Sequence, residues 1–453
     1  MTQTNPVNLA ILSCPGGEVF ADEVIEHLKK GYRRLFDNMI AELAQRYGLK
    51  PQAVIQQVSF INDVISSVHY YQGFNGQHDH HERGPGQRNS LGQRSNPEQR
   101  SSSRQRNGSW HFRNPRLKVP TDFTMFPNGE IKAEILESIR GKDVYIVQDV
   151  ENHYPVSFSG GEVKKVLSVN DHLMTILVTV DAAKLAGAER VTLVMPVYPY
   201  SRQHKNKTRE GLTAGRMART LENLGVNRII TLDIHSREIN NAFHNMRLEN
   251  LHASYQIIRA LSGIPNIHND DFVVVSPDTG AVDRNKFYAS ALKRPLALLY
   301  KERDYSRVSA DAIDNNISEL KLLGNVRGKT VFIADDMLCT GGTLLKAMRF
   351  LKSEGAGRVI CAISLPLFTK GAIKHFDNAY KEGLFYKIIG TNAVYQEDLL
   401  QREWYLNVNI SKLFAKTISR LHRGLSLSSL LDNREIIMKL FSSPQNESAK
   451  PED

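Results

Sequence analysis

The sequence predicts an α/β protein with mainly parallel sheets, folded as two domains. Three observations carry that expectation. Short apolar runs of strand length recur along the chain, and amphipathic stretches of helical length lie between several of them. Strand, helix, strand at this spacing implies parallel sheets with right-handed crossovers. The third observation is length: 453 residues exceed the ~250–300 at which a single core stops growing.

The expected strands, in order, are 7–12, 143–148, 190–197, 228–234, 272–277, 296–301, 330–336 and 358–366. Helical patterns occupy 172–188 and 211–225. From Gly73 to about Pro115 aliphatic residues nearly vanish and Gly, Ser, Gln, Asn and Arg take over. Such a stretch buries too little apolar area to offset its ordering entropy and reads as a disordered insert. The expected organisation is an N-terminal domain from 7–72 and 117–250, interrupted by the insert at 73–116. A second domain follows at 251–404, then a segment at 405–432 returning to the first domain and a polar tail at 433–453.

Apolar residues at 41% and charged residues at 23% exclude a wholly disordered chain, a collagen and a coiled-coil rod. The formal charge of +10 leaves nucleic acid, an acidic membrane surface or phosphorylated ligands as partners. Its placement discriminates among them: residues 74–116 hold eight arginines against three acids, so half of the excess lies in the insert. Cys14, Cys339 and Cys361 form neither a disulfide framework nor a zinc spacing, and the expected home is the reducing cytoplasm. No long apolar run or leader pattern is expected to bring in a membrane.

Ligands of open α/β sheets bind beyond the carboxyl ends of the strands, so chemistry is sought there. The run 331–343 (VFIADDMLCTGGT) places Asp335 and Asp336 before a Thr340-Gly341-Gly342-Thr343 turn, with a helical pattern starting near Leu344. Glycines admit a close ligand, and the N–H groups of a helix start cradle phosphate. The adjacent acids suit sugar hydroxyls and Mg2+, so the segment reads as a ribose-phosphate site. A charged loop with a capping threonine is the plain alternative. In the run 232–236 (LDIHS), Asp233 and His235 share a face if the segment is extended, as metal or phosphate ligands would; a packed histidine is the plain alternative. Arg202, Gln203, His204, Lys205, Lys207 and Arg209 crowd the loop after 190–197, which is either polyphosphate-binding or merely solvated. Asp278 ends another strand at a Pro-Asp-Thr-Gly turn. Lys301 and Arg303 end the next, and a polar stretch then runs to about Asn316, as a cation-bearing lid would. The chain contains no P-loop motif and no Gly-x-Gly-x-x-Gly after a strand.

Taken together, FPNGE (126–130), IRGKDVYIVQ (139–148), YPYSRQ (198–203), TLDIHS (231–236), VSPDTG (275–280), YKER (300–303) and the acid-pair loop resemble, in that order, the ribose-phosphate pyrophosphokinases. The resemblance covers about 117–432 well and 7–30 weakly. It implies two stacked phosphoribosyltransferase-like domains in a homo-oligomer built from dimers, commonly a hexamer. It also implies transfer of the β,γ-diphosphate of ATP to the 1-hydroxyl of ribose 5-phosphate, with Mg2+ as cofactor. By resemblance, Phe126, Asn128, Glu130, Arg202 and Gln203 would bind ATP. Asp278, Asp335, Asp336, Thr340, Gly341, Gly342 and Thr343 would bind ribose 5-phosphate. Asp233, His235 and Asp278 would hold the metal, and Lys301, Arg303 and His235 would be catalytic.

The chain departs from the family pattern at Cys339, His204 and His244, where acids are usual; Glu249 is the nearby substitute for the last. These departures keep a non-catalytic regulatory paralogue as the alternative. A phosphoribosyltransferase would leave one α/β half unexplained, and nucleic-acid binding through the arginine-rich insert is disfavoured.

Overall fold

The computed structural model describes residues 8–55, 115–159, 164–206, 208–267, 271–302, 319–431, 433, 436, 437 and 440. Residues 56–114, with nearly all of the expected insert, the lid stretch 303–318 with Arg303, Lys207 and most of the polar tail lie outside the described residues. The chain packs as two units, residues 1–28 with 117–453 and residues 29–116.

Within the first unit, five parallel strands form a sheet in the order β1-β4-β5-β6-β7. They are β1 (Leu9–Ser13), β4 (Asp143–Val147), β5 (Arg190–Val194), β6 (Arg228–Leu232) and β7 (Arg247–Leu251). β4 is buried along its whole length, as expected of a parallel strand covered on both faces. Helix α1 (Glu18–Tyr47) follows β1, and α2 (Val169–Leu185) and α3 (Thr213–Asn223) follow β4 and β5. The start of α2 is fixed by a capping box in which Ser168 and Asp171 satisfy each other's backbone N–H. The antiparallel hairpin β2 (Thr121–Met125)–β3 (Ile131–Ile135) carries the 126–130 loop at its tip.

The second sheet has the order β10-β9-β8-β11-β12-β13-β14, parallel except for the edge strand β10. Its strands are β8 (Phe272–Ser276), β9 (Leu296–Glu302), β10 (Glu319–Leu323), β11 (Thr330–Leu338), β12 (Val359–Pro366), β13 (Lys387–Thr391) and β14 (Tyr405–Val408). Helices α4 (Ser254–Ser262), α5 (Val282–Leu292), α6 (Gly342–Ser353), α7 (Ala372–Lys381) and α8 (Glu397–Leu400) accompany it. Its core joins Val275 and Ile333 to Met348, Phe376 and Trp404. Each such side chain contributes about 1.5–3 kcal/mol on burial. The order matters for function. The chain moves outward from β8 to β9 and β10, then returns to place β11 on the other side of β8. That reversal is a switch point, where adjoining loops splay apart and leave a crevice at the strand ends.

Helix α9 (Ser411–His422) packs on the first sheet's side, with the Phe414 ring edge-on to Phe20 at 5.1 Å. His422 Nδ1 lies 2.9 Å from the buried Asp143 carboxylate of β4. In the second unit, Ile40 and Ala44 of α1 cluster with Val54, and Phe36, Met39 and Leu43 border them. That spacing is one helical stripe. No helix among the described residues is long and apolar enough to cross a membrane.

Candidate active site

Asp335 and Asp336 stand beside the switch point, but inside β11 rather than at its end. The ladder continues through Met337 and Leu338, which pair with Leu365 and Pro366 of β12. The burial of Leu338 makes that extension favourable. Asp335 Oδ1 accepts the Asp336 N–H at 2.9 Å. Burial and the charge of Asp336 push the Asp335 carboxyl above the usual carboxylate range. Burial opposes ionisation of Asp336 too, but His235 and Arg284 outweigh it and hold that carboxyl below its usual range. The pair is thus electrostatically unequal.

The Thr340–Thr343 loop follows, with α6 beginning at Gly342, two residues before the expected start. Gly341 caps the helix at φ 73°, in the left-handed region. A Cβ there would collide with the Phe376 ring, whereas Gly342 faces open space. The first glycine is therefore required by the protein's own packing, and the second leaves room for a ligand. Across the crevice, Asp278 follows β8, and its Oδ1 accepts the Ala281 N–H at 2.9 Å near the start of α5.

The first sheet sends Asp233 and His235 to the same place. They were expected to share a face of an extended segment. The segment is not extended there: Asp233 has φ 40°. His235 is exposed, whereas Asp233 is buried. Its Oδ1 accepts from His252 Nδ1 at 2.7 Å, and its Oδ2 accepts from Ser364 Oγ at 2.6 Å and Ala253 N at 3.2 Å. Burial alone would raise this carboxyl, but His252, Arg284 and Ser364 together hold it below its usual range. His235 turns outward, and its Nδ1 lies 2.7 Å from Asp336 Oδ2. This contact brings the two sheets' chemistry together. Ring to ring, His235 stands edge-on to His204 at 5.3 Å.

The Arg202 charge acts on both the Cys339 thiol and the Glu151 carboxylate, favouring their ionised forms against burial. Burial raises Glu151 to about 7, with Arg202 opposing it. Gln203 is exposed on the same loop. Phe126, Asn128 and Glu130 are exposed on the hairpin tip, where Asn128 Oδ1 accepts the Glu130 N–H at 3.2 Å. Lys301 belongs to β9, paired with Leu320, but its side chain and all of Arg303 lie outside the described residues. Glu249 is paired with Arg228 at 3.1 Å, and His244 is exposed near Glu222.

Arg284, His252 and Ser364 were missed in the sequence. His252 directly follows a strand, so the strand-end rule would have found it. Ser364 is a lone hydroxyl inside an apolar run. Arg284 lies one turn into a helix and carries no comparable signal. Among the described residues, no three His, Cys, Asp or Glu side chains converge as a ready-made cation cage. The three cysteines are free thiols.

Comparison with known proteins agrees with this arrangement. Residues 116–225 match the N-terminal domain of ribose phosphate pyrophosphokinase, and residues 244–396 match the phosphoribosyl transferase domain. Ribose-phosphate pyrophosphokinase A of Dictyostelium discoideum is 34% identical over 311 residues, covering 68% of this chain and 88% of the relative. Ribose-phosphate pyrophosphokinase 1 of Listeria innocua is 34% identical over 315 residues, with the same coverage. In fold, the chain is similar to the crystal structure of phosphoribosylpyrophosphate synthetase from Mycobacterium smegmatis. That match has a TM-score of 0.60 at 22% identity and covers 92% of this chain and 99% of the other. With the acid pair at the switch point and relatives of this similarity along most of their length, the chain belongs to the ribose-phosphate pyrophosphokinase family.

Proposed function

We propose that the chain transfers the β,γ-diphosphate of ATP to the 1-hydroxyl of ribose 5-phosphate, supplying nucleotide biosynthesis. The sugar oxygen attacks the β-phosphorus, the bond from that phosphorus to the α,β-bridging oxygen breaks, and AMP leaves with that oxygen. The proton of the sugar hydroxyl passes to solvent. The observation that carries this reading is the His235–Asp336 contact at 2.7 Å. It supports the reading because the acid pair of one sheet meets a strand-end group of the other. In the proposed assignment, Asp335, Asp336 and Asp278 take the sugar hydroxyls, the 340–343 loop takes the 5-phosphate, and Arg202, Gln203 and the hairpin tip take the nucleotide.

Mg2+ fits this donor set as an ion carried in by substrate. Magnesium keeps several waters and needs only one or two carboxylates besides phosphate oxygens. Asp278 and the acid pair would supply those oxygens, whereas both oxygens of Asp233 are already engaged by protein donors. When bound, the ion would neutralise the diphosphate charge. Lys301 and Arg303 are assigned the transition-state charge, since phosphoryl-type transfer depends on alignment and cations rather than covalent help. A dimer-based oligomer, a cytoplasmic location and a domain boundary near residue 250 complete the proposal.

The test mixes purified protein with ATP, ribose 5-phosphate and Mg2+ and follows AMP. AMP that forms only with the sugar supports the proposal. Its absence across varied metal and phosphate would favour a regulatory paralogue.

A further inference from the structure

Arg284 sits in the first turn of α5, directly above the switch point. Its neighbour Asn285 is fully buried and locks that turn to β11. Asn285 Nδ2 donates to the Ala334 carbonyl at 2.8 Å, and the Ala334 N–H donates to Asn285 Oδ1 at 2.9 Å. The backbone that carries Arg284 is therefore fixed one residue before the acid pair. The Arg284 side chain is only 23% exposed. Its Nη1 lies 3.8 Å from Asp233 Oδ1, and its Nη2 lies 3.8 Å from Asp336 Oδ2. One acid belongs to the first sheet and the other to the second.

Each acid has its own imidazole at 2.7 Å, His252 for Asp233 and His235 for Asp336. The five side chains form a row, His252–Asp233–Arg284–Asp336–His235, that crosses from sheet to sheet. Arg284 is too far from either acid for a hydrogen bond, so it acts through charge. A part-buried cleft with Asp233, Asp335 and Asp336 concentrates negative charge at low local dielectric, and the central cation offsets it.

We infer that Arg284 is a positioning residue: by neutralising Asp233 and Asp336 together it holds the two sheets in the register that lets His235 meet Asp336. The inference rests on the proposed diphosphotransfer only for its activity readout. Two measurements on the full-length protein test it. The first is a cycle of urea-unfolding midpoints with Asp233→Asn, Asp336→Asn and their double variant, made with Arg284 present and again with Arg284→Gln. The effects of the two acid substitutions should be non-additive with Arg284 and additive without it; additivity in both backgrounds overturns the inference. The second measures kcat per folded molecule and both KM values. For Arg284→Gln, kcat should fall at least ~30-fold with the KM for ATP within ~3-fold, and Arg284→Lys should recover much of the loss as a point charge. Unchanged kcat per folded molecule makes Arg284 merely structural. Raised KM values at unchanged kcat make it a ligand contact. Either result overturns the inference. If Arg284→Gln does not fold, Arg284→Lys decides: its kcat must lie below wild type while its midpoint stays near wild type. A wild-type protein without turnover that still shows the Arg284-dependent non-additivity would sink the diphosphotransfer and not the bridge.

Discussion

Two aspartates face the same crevice with nearly the same burial: the Asp233 side chain is 10% exposed and that of Asp336 is 11%. They differ in what surrounds them. Asp233 sits on left-handed backbone, with His252, the Ala253 N–H and Ser364 occupying both of its oxygens. Asp336 receives His235 and the distant Arg284 on one oxygen and stands next to an acid held in its neutral form more readily than usual. Burial alone therefore does not separate the acid we assign to substrate from the one we assign to bracing; the number of committed partners does. Over-determined, strained backbone such as that of Asp233 is found where a site must be held rigid.

The sharpest way to break this comparison is to neutralise each acid in turn. Asp336→Asn should lower kcat by about 10²–10³-fold while lowering the unfolding midpoint less than Asp233→Asn does, because in the proposed assignment it removes a group beside the reacting centre. Asp233→Asn should do the reverse in emphasis. It leaves Arg284 and His252 without their shared anion and should cost about 3 kcal/mol in urea unfolding. A stable Asp233→Asn variant that has lost only turnover would place Asp233 among the working acids. Next in size, Lys301→Ala should lower kcat about 100-fold with substrate KM values nearly unchanged. A variant with normal kcat and weakened binding would assign Lys301 to ground-state binding instead.

Gly341→Ala tests whether the loop depends on packing as well as on ligand. The strained φ and the collision with Phe376 should cost about 1–3 kcal/mol and raise the KM for ribose 5-phosphate. Gly342→Ala, which meets open space, should leave stability unchanged. Equal losses in both variants would contradict that distinction. A pH-dependent effect concerns Asp149, a buried acid whose carboxyl burial pushes to about 7, with the Tyr395 and Glu151 N–H groups opposing. The folded protein keeps this proton where the unfolded chain has lost it. Stability is therefore greatest below the ordinary carboxylate range and falls as pH rises towards 7, by at most about 1.4 kcal/mol per pH unit. Asp149→Asn should flatten this part of the stability–pH profile; an unchanged slope would assign it to other groups.

Much of this was legible in the sequence. The parallel strands followed from apolar runs, and the acid pair stood out because a buried strand rarely carries adjacent carboxylates without a use. What escaped was long-range geometry. Asp233 has a positive φ, and Ser364 reaches it from 131 residues away. β11 runs past the acids because its partner β12 continues beside it, which local composition does not encode. Gly341 reads in the sequence as making room for phosphate, and Phe376, two elements further on, gives it a packing reason that no local pattern shows.

The most direct test of the central claim uses ATP labelled separately at the β- and γ-phosphorus, with ribose 5-phosphate and Mg2+. Both labels should pass together to the sugar product, leaving unlabelled AMP. Label in ADP or free phosphate, with none on the sugar, would contradict diphosphate transfer by this chain.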